Sequence, residues 1–171
     1  MPSWQLISIY ESLFEMGSPF GIRDFGGQAF NSMRLEKMYR AYGAEFTEEI
    51  SALEAGMDRF LDLSRNFIGS DNIKERQSKG VETQLAYLIF DDEIPAECFG
   101  NEAVFDGDEL SGIITSGAYG YRVGHSVAFA YLNPSHCSEG KSLRVETSLG
   151  SRNCHVSMNA AYDNDNEKLR S

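Results

Sequence analysis

Apolar residues recur at helical spacing near the start of the chain. Leu6, Ile9, Tyr10, Leu13 and Phe14 predict a helix over 4–16 with one buried face, and Gly17 with Ser18 and Pro19 supplies its stop. Ser3 is the candidate cap, without a capping box because position 6 is Leu. A second helix is expected from after Asp24 to about Lys37, with Ala29, Phe30 and Met33 facing inward and Arg34 one turn beyond Phe30. Gly26 and Gly27 weaken its first turn. Phe60, Leu61 and Leu63 read as a strand, and Ser70 or Asp71 as the cap of a polar helix ending before Gly80.

After Gly80 the period changes from helical to alternating, which places a boundary at 79–83. Thr83–Phe90, Glu109–Thr115 and Ser126–Leu132 read as strands, with residues 104–108 as a hairpin tip. Ser142–Ser148 and Arg152–Met158 form a second hairpin around Leu149 and Gly150. Five or six short strands imply a small antiparallel barrel or sandwich, so the expected class is α+β. The expected division is 1–80 for the helical part, 81–163 for the β part and 164–171 for a polar tail.

Composition narrows the function classes. A chain of 171 residues with 42% hydrophobic residues can bury a real core. Its net charge of −11 argues against nonspecific nucleic-acid binding while leaving room for a local basic pocket. No segment approaches the roughly 20 apolar residues of a membrane helix, and no basic region precedes an apolar run, so the expected compartment is cytoplasmic. Cys98, Cys137 and Cys154 are odd in number and widely spaced, and read as free structural thiols. His125, His136 and His155 lack metal-ligand spacing. The glycines at 117, 120 and 124 suit a turn better than a dinucleotide loop, because a strand follows. The acids at 91–93 and 106–109 sit in turn-like stretches and read as solvated loop charge.

The segment from Phe25 to Glu45 combines an apolar stripe with Arg34, Glu36, Tyr39 and Tyr42, which a core does not require. Together with residues 54–60, 66–69, 112–117, 126–132 and 161–163, it resembles the folate-binding aminomethyltransferase region of dimethylglycine and sarcosine dehydrogenases, relatives of the glycine-cleavage T-protein. The resemblance covers the later part of the middle subdomain and the C-terminal barrel of a three-subdomain domain. The family's catalytic aspartate belongs to the unmatched earlier region, so no catalytic residue is assigned. No flavin site is matched either.

What the resemblance implies is tetrahydrofolate as cofactor, a small methylated amine as substrate, and a missing N-terminal subdomain or partner chain, with a homo-oligomer as another way to cover the exposed surface. The chain alone would then have little or no turnover. Arg34 matches the arginine of the family's Arg-Leu-Glu motif and becomes a candidate folate contact, its planar fork suiting a carboxylate or carbonyl. The competing use is an ion pair with Glu36, Glu45 or Glu54. Tyr42 is a candidate ring contact to the pterin or an interfacial core tyrosine. Glu36 is a candidate ligand acceptor or half of an ion pair, and Tyr162 an aromatic near the cleft. Tyr119, Tyr121 and Arg122 are assigned to closing a barrel loop, and Glu54 and Arg59 to bracing. Met38 stands where the family commonly has glycine, which puts strain there if the backbone turns left-handed. A different function class remains beside this one: a noncatalytic assembly or binding module that keeps the fold.

Overall fold

The computed structural model describes residues 2–96 and 98–171, so Met1, at the start of the expected 1–80 segment, and Glu97 lie outside it. The chain divides into two compact units, one ending at Phe30 and one running from Asn31 to Ser171.

In the first unit, helix α1 spans Leu6–Gly17. Gly17 leads into a short 3-10 turn, Ser18–Phe20, and Gly21 takes a left-handed conformation that ends it. The helix is where the apolar spacing put it, but the expected buried face is not: none of its residues is buried, and Leu6, Ile7, Leu13 and Met16 are all more than half exposed. The predicted cap is also corrected, since Pro2 rather than Ser3 precedes the first turn and no side chain caps it.

Helix α2, Gly27–Glu36, crosses the division between the units. Its expected inward residues are reversed. Ala29, Phe30 and Met33 are exposed, whereas Ser32, Arg34, Leu35 and Glu36 are buried. The second unit explains why: Ser32 Oγ donates to the Tyr119 carbonyl at 2.7 Å and Asn31 Nδ2 to the Gly117 carbonyl at 3.1 Å. The helix face is thus chosen by polar partners more than eighty residues away, and Leu35 is its fully buried apolar anchor.

Residues 60–63 are not a strand. Asp58–Phe60 is a 3-10 turn and Phe60 is exposed, because so short an apolar run carries too little periodic signal to decide its conformation. Helix α3 spans Ser70–Lys79 and stops at Gly80 as expected, but left-handed Gly69 holds the cap position and no side chain caps it. Glu54 ties this region together, accepting from Arg76 Nη1 at 2.8 Å while its own carbonyl takes the Leu85 N–H at 2.8 Å.

Six antiparallel strands close a barrel: β1 (Gln84–Phe90), β2 (Ala103–Asp106), β3 (Glu109–Gly120), β4 (His125–Leu132), β5 (Ser142–Thr147) and β6 (Gly150–Ser157), in the order β1-β4-β3-β2-β5-β6. Alternation divides the strand residues into two apolar sets. Ala86, Leu88, Phe90, Ala128, Ala130 and Leu132 join residues of the other four strands in one cluster that fills the barrel. The alternate residues Leu85, Tyr87, Val127, Phe129 and Tyr131 pack with Leu35 of α2 in a second cluster. Burial of β4 on both faces explains its nearly continuous apolar run. Cys98, Cys137 and Cys154 are free and buried, and burial pushes the Cys137 thiol up to about 11. Among the described residues no helix is long and apolar enough to cross a membrane, and no three His, Cys, Asp or Glu side chains are placed to hold a metal ion.

Candidate functional site

The site grows from the C-terminal end of α2. Met38 adopts φ +57°, with its N–H on the Leu35 carbonyl at 2.9 Å and the Tyr39 N–H on the Arg34 carbonyl at 2.8 Å. These two bonds make a Schellman stop with methionine where glycine is usual. A side chain in the left-handed region costs about 1 kcal/mol, and the partly buried Met38 side chain packs against the cluster around Leu35.

This stop turns the Tyr39 carbonyl back onto Arg34. Arg34 Nη1 donates to it at 3.1 Å and to Glu45 Oε2 at 2.7 Å, Nε donates to Asn31 Oδ1 at 2.9 Å, and Nη2 to Ser116 Oγ at 2.8 Å. Four of the five guanidinium N–H groups therefore have acceptors among the described residues. Glu45, fully buried, answers with both oxygens: Oε2 also takes the Ala41 N–H at 2.8 Å, and Oε1 takes the hydroxyls of Thr115, at 3.0 Å, and Ser116. Adjacent residues of a regular strand point to opposite faces, yet here both hydroxyls reach one carboxylate oxygen. The register of β3 shifts between Ile114 and Ser116, and this bulge re-aims the pair. Tyr131 of β4 completes the node by donating to the Glu45 carbonyl at 2.7 Å. Burial, then the Glu45 and Glu54 charges, holds the Tyr131 phenol above its ordinary value.

Beside this node lies a cavity of about 670 Å³ lined by Arg34, Gly43, Asn101, Thr115, Ser116 and Tyr131, among others. Tyr42, next to Gly43, is 79% exposed and so offers a free ring face.

Glu36 faces different partners. Its buried carboxylate takes the N–H groups of Arg122 at 2.6 Å and Val123 at 3.3 Å, and does not pair with Arg34. Gly120 makes room for it, since a Cβ there would stand 3.0 Å from Glu36 Oε1 and closer still to Val123. The Tyr162 N–H donates to the Glu36 carbonyl at 3.0 Å, and Lys168 Nζ to the Tyr162 hydroxyl at 3.1 Å. Hydrogen bonds from Lys168 and Arg122 lower the Tyr162 phenol below its ordinary value. Arg122 and Lys168 also lie 5.4 and 5.0 Å from its ring centre. Of the four residues singled out for folate, Glu36 and Tyr162 are thus brought together, Arg34 belongs to the Glu45 node, and Tyr42 stands apart on the surface.

Comparison with known proteins decides the family. Residues 1–65 match the GCVT N-terminal domain and residues 84–163 the glycine cleavage T-protein C-terminal barrel domain. The chain belongs to the glycine cleavage T-protein family. It is 34% identical over 143 residues to the mitochondrial dimethylglycine dehydrogenase of Homo sapiens, covering 82% of this chain and 16% of that protein. It is 32% identical over 126 residues to an aminomethyltransferase of Corynebacterium aurimucosum, covering 73% and 34%. A mitochondrial pyruvate dehydrogenase phosphatase regulatory subunit of Mus musculus is 26% identical over 157 residues, covering 89% and 18%. The chain therefore spans between about a sixth and a third of these relatives' lengths. The crystal structure of glycine cleavage system aminomethyltransferase T from Bartonella henselae shares the fold, with a TM-score of 0.71 at 20% identity over 80% of this chain and 38% of that one.

Within this T-protein-like domain, sequence reasoning offered Glu45 as one of three possible partners of Arg34 and missed Ser116 and Thr115. No glycine or proline within the bulge signals the pairing. It also passed over Arg40. The available signal was the stretch from Lys37 to Ala44, which carries two cations and no acid.

Proposed function

We propose that the chain is a portion of a tetrahydrofolate-dependent aminomethyltransferase domain, contributing one wall of the site where folate accepts a one-carbon unit from a methylated amine of the dimethylglycine or sarcosine type. The observation that carries this reading is the cavity of about 670 Å³ beside a fully pre-positioned Arg34. That volume lies within the range of small-molecule sites, about 300–1,000 Å³. In this reading Arg34 gives its remaining N–H to the ligand, held by Glu45 and Ser116 so that little ordering is left to occur on binding. Tyr42 offers its exposed ring to the pterin. Glu36 accepts through the carboxylate oxygen that the Arg122 and Val123 amides leave free among the described residues, and Tyr162 supplies a second aromatic contact. Bound folate supplies the nucleophilic acceptor for the one-carbon unit. These residues bind and orient it, and no proton-transfer role is assigned to any of them.

A second reading, a noncatalytic assembly module, is favoured by the apolar residues exposed along α1. Calorimetric titration with tetrahydrofolate, paired with sedimentation, separates the two. The expected result is saturable heat, weakened about tenfold or more in Arg34→Lys, which keeps the charge and loses the fork, and several-fold in Tyr42→Ala, for a ring contact worth about 1 kcal/mol. No heat from a stably oligomeric chain overturns the folate reading in favour of assembly. Wild-type affinity in both variants overturns the assignment of these residues.

A further inference from the structure

A second concavity, of about 510 Å³, has the Met38 turn in its wall. Its wall includes Lys37, Arg40 and Arg59 and no aspartate or glutamate, in a chain whose acids outnumber its lysines and arginines by 26 to 15. Lys37 is compensated, since its ammonium reaches Asp163 Oδ2 at 3.0 Å. Arg40 and Arg59 are not: neither has a carboxylate within ion-pair distance among the described residues, although exposed Asp58 adjoins Arg59 in sequence.

Arg40 is a built feature rather than a loose surface cation. Its Nε donates to the Ala55 carbonyl at 2.8 Å, and its guanidinium lies 5.8 Å from the Phe129 ring centre. Gly56 keeps the way clear, because a Cβ there would come within 3.2 Å of Nη2. Arg59 lies over the Phe60 ring at 4.6 Å. Burial, then the nearby Arg59 charge, lowers the Arg40 pKa against smaller opposing pulls from Tyr131 and Glu45. Phe46, Met57, Phe60 and Met158 give the remaining wall an apolar part, beside the polar Asn164 and Asn166.

Two guanidiniums without counter-ions, one of them anchored by its own Nε, leave fork-shaped donors for an oxyanion. Aromatic and methionine walls leave a place for the body that carries it. We infer that the Arg40–Arg59 cleft is an oxyanion-binding site, taking a carboxylate or phosphate group attached to a flat apolar body.

The test uses probes without a pterin, so its result is independent of the tetrahydrofolate reading. Binding of 1-naphthoate, 1-naphthyl phosphate and the neutral 1-naphthylmethanol to the chain is followed by amide chemical-shift changes. Both anions are expected to shift residues of the 37–40 and 56–60 turns and to bind about tenfold or more tighter than the alcohol, the size of one charge-assisted contact. Arg59→Gln and Arg40→Gln each remove about that preference and leave the alcohol's binding unchanged. Tighter binding of the dianionic phosphate identifies phosphate as the natural group; equal or tighter binding of naphthoate identifies carboxylate. Equal affinity for anions and alcohol overturns the inference. So do shifts confined to other surfaces, or wild-type anion binding by Arg59→Gln, whose exposed position keeps the fold out of question.

Discussion

Arg34 and Arg40 lie six positions apart, yet the chain treats their charges in opposite ways. Arg34 is 7% exposed and spends four donors internally, one of them on a carboxylate whose two oxygens are both occupied. Arg40, partly buried, spends Nε on one carbonyl and has no carboxylate at ion-pair distance among the described residues, while the Arg59 charge acts on it more strongly than the Glu45 charge. Burial without a partner is costly, so a buried guanidinium is normally matched. The Arg34 node therefore holds backbone in place and leaves a single N–H for a ligand, whereas the Arg40–Arg59 pair leaves most of its donors for something outside the chain. Stability should be concentrated in the first cluster and nearly absent from the second.

The sharpest break of that contrast is Glu45→Ala. It leaves Arg34 buried without its carboxylate and strips Thr115, Ser116 and the Ala41 amide of their acceptor. Removing one partner of a buried pair costs about 3–5 kcal/mol. At about 2–4 °C per kcal/mol for a chain of this size, the melting temperature should fall by roughly 10 °C or more. A variant melting with the wild type would show that the node carries no stability.

Little of this node was legible in the sequence, and the reason is physical. The barrel could be read because its strands either alternate or, like β4, form short apolar runs between turn residues, with hairpin turns at Gly107 and Asp108 and again at Leu149 and Gly150. Such signals are local. The existence of α2 was local too, but its buried face was not: Ser32 and Asn31 are drawn inward by carbonyls of Tyr119 and Gly117, so Phe30 and Met33 end outside despite their apolarity. Nothing near Arg34 says that Ser116 will accept from it across 82 positions. The empty valence of Arg40 was likewise invisible, since a cation's lack of partners is a property of the whole fold. The Arg-Leu-Glu resemblance pointed to this turn of chain without revealing which way its side chains face.

A smaller effect is expected at the rim of the node. Tyr131→Phe removes the hydroxyl that donates to the Glu45 carbonyl and should cost about 1–2 kcal/mol. It also has a distinct pH signature. Because the folded phenol is held above its ordinary value of 10.0, chiefly by burial, its contribution is complete below that pH and is lost as pH rises above it and the unfolded chain ionises first. Wild-type melting temperature should decline above about pH 10, and Tyr131→Phe should decline less steeply. Parallel alkaline profiles would show that Tyr131 is not a source of that loss.

The smallest effect belongs to the other cluster. Arg59→Ala removes an exposed side chain whose one ring contact, with Phe60, is itself at the surface. Such a change should move stability by no more than about 0.5 kcal/mol. The sign is informative. Losing the contact with Phe60 destabilises, whereas releasing Arg40 from a like charge stabilises, and only the second depends strongly on salt. Melting the pair of proteins across a range of sodium chloride concentrations separates them, because charges more than about 10 Å apart are already screened at 0.1 M while closer ones are not. Arg59→Ala should gain on the wild type as salt is lowered. A loss at low salt would mean that Arg59 is paired with an anion of the chain, and would remove the contrast on which the two clusters were distinguished.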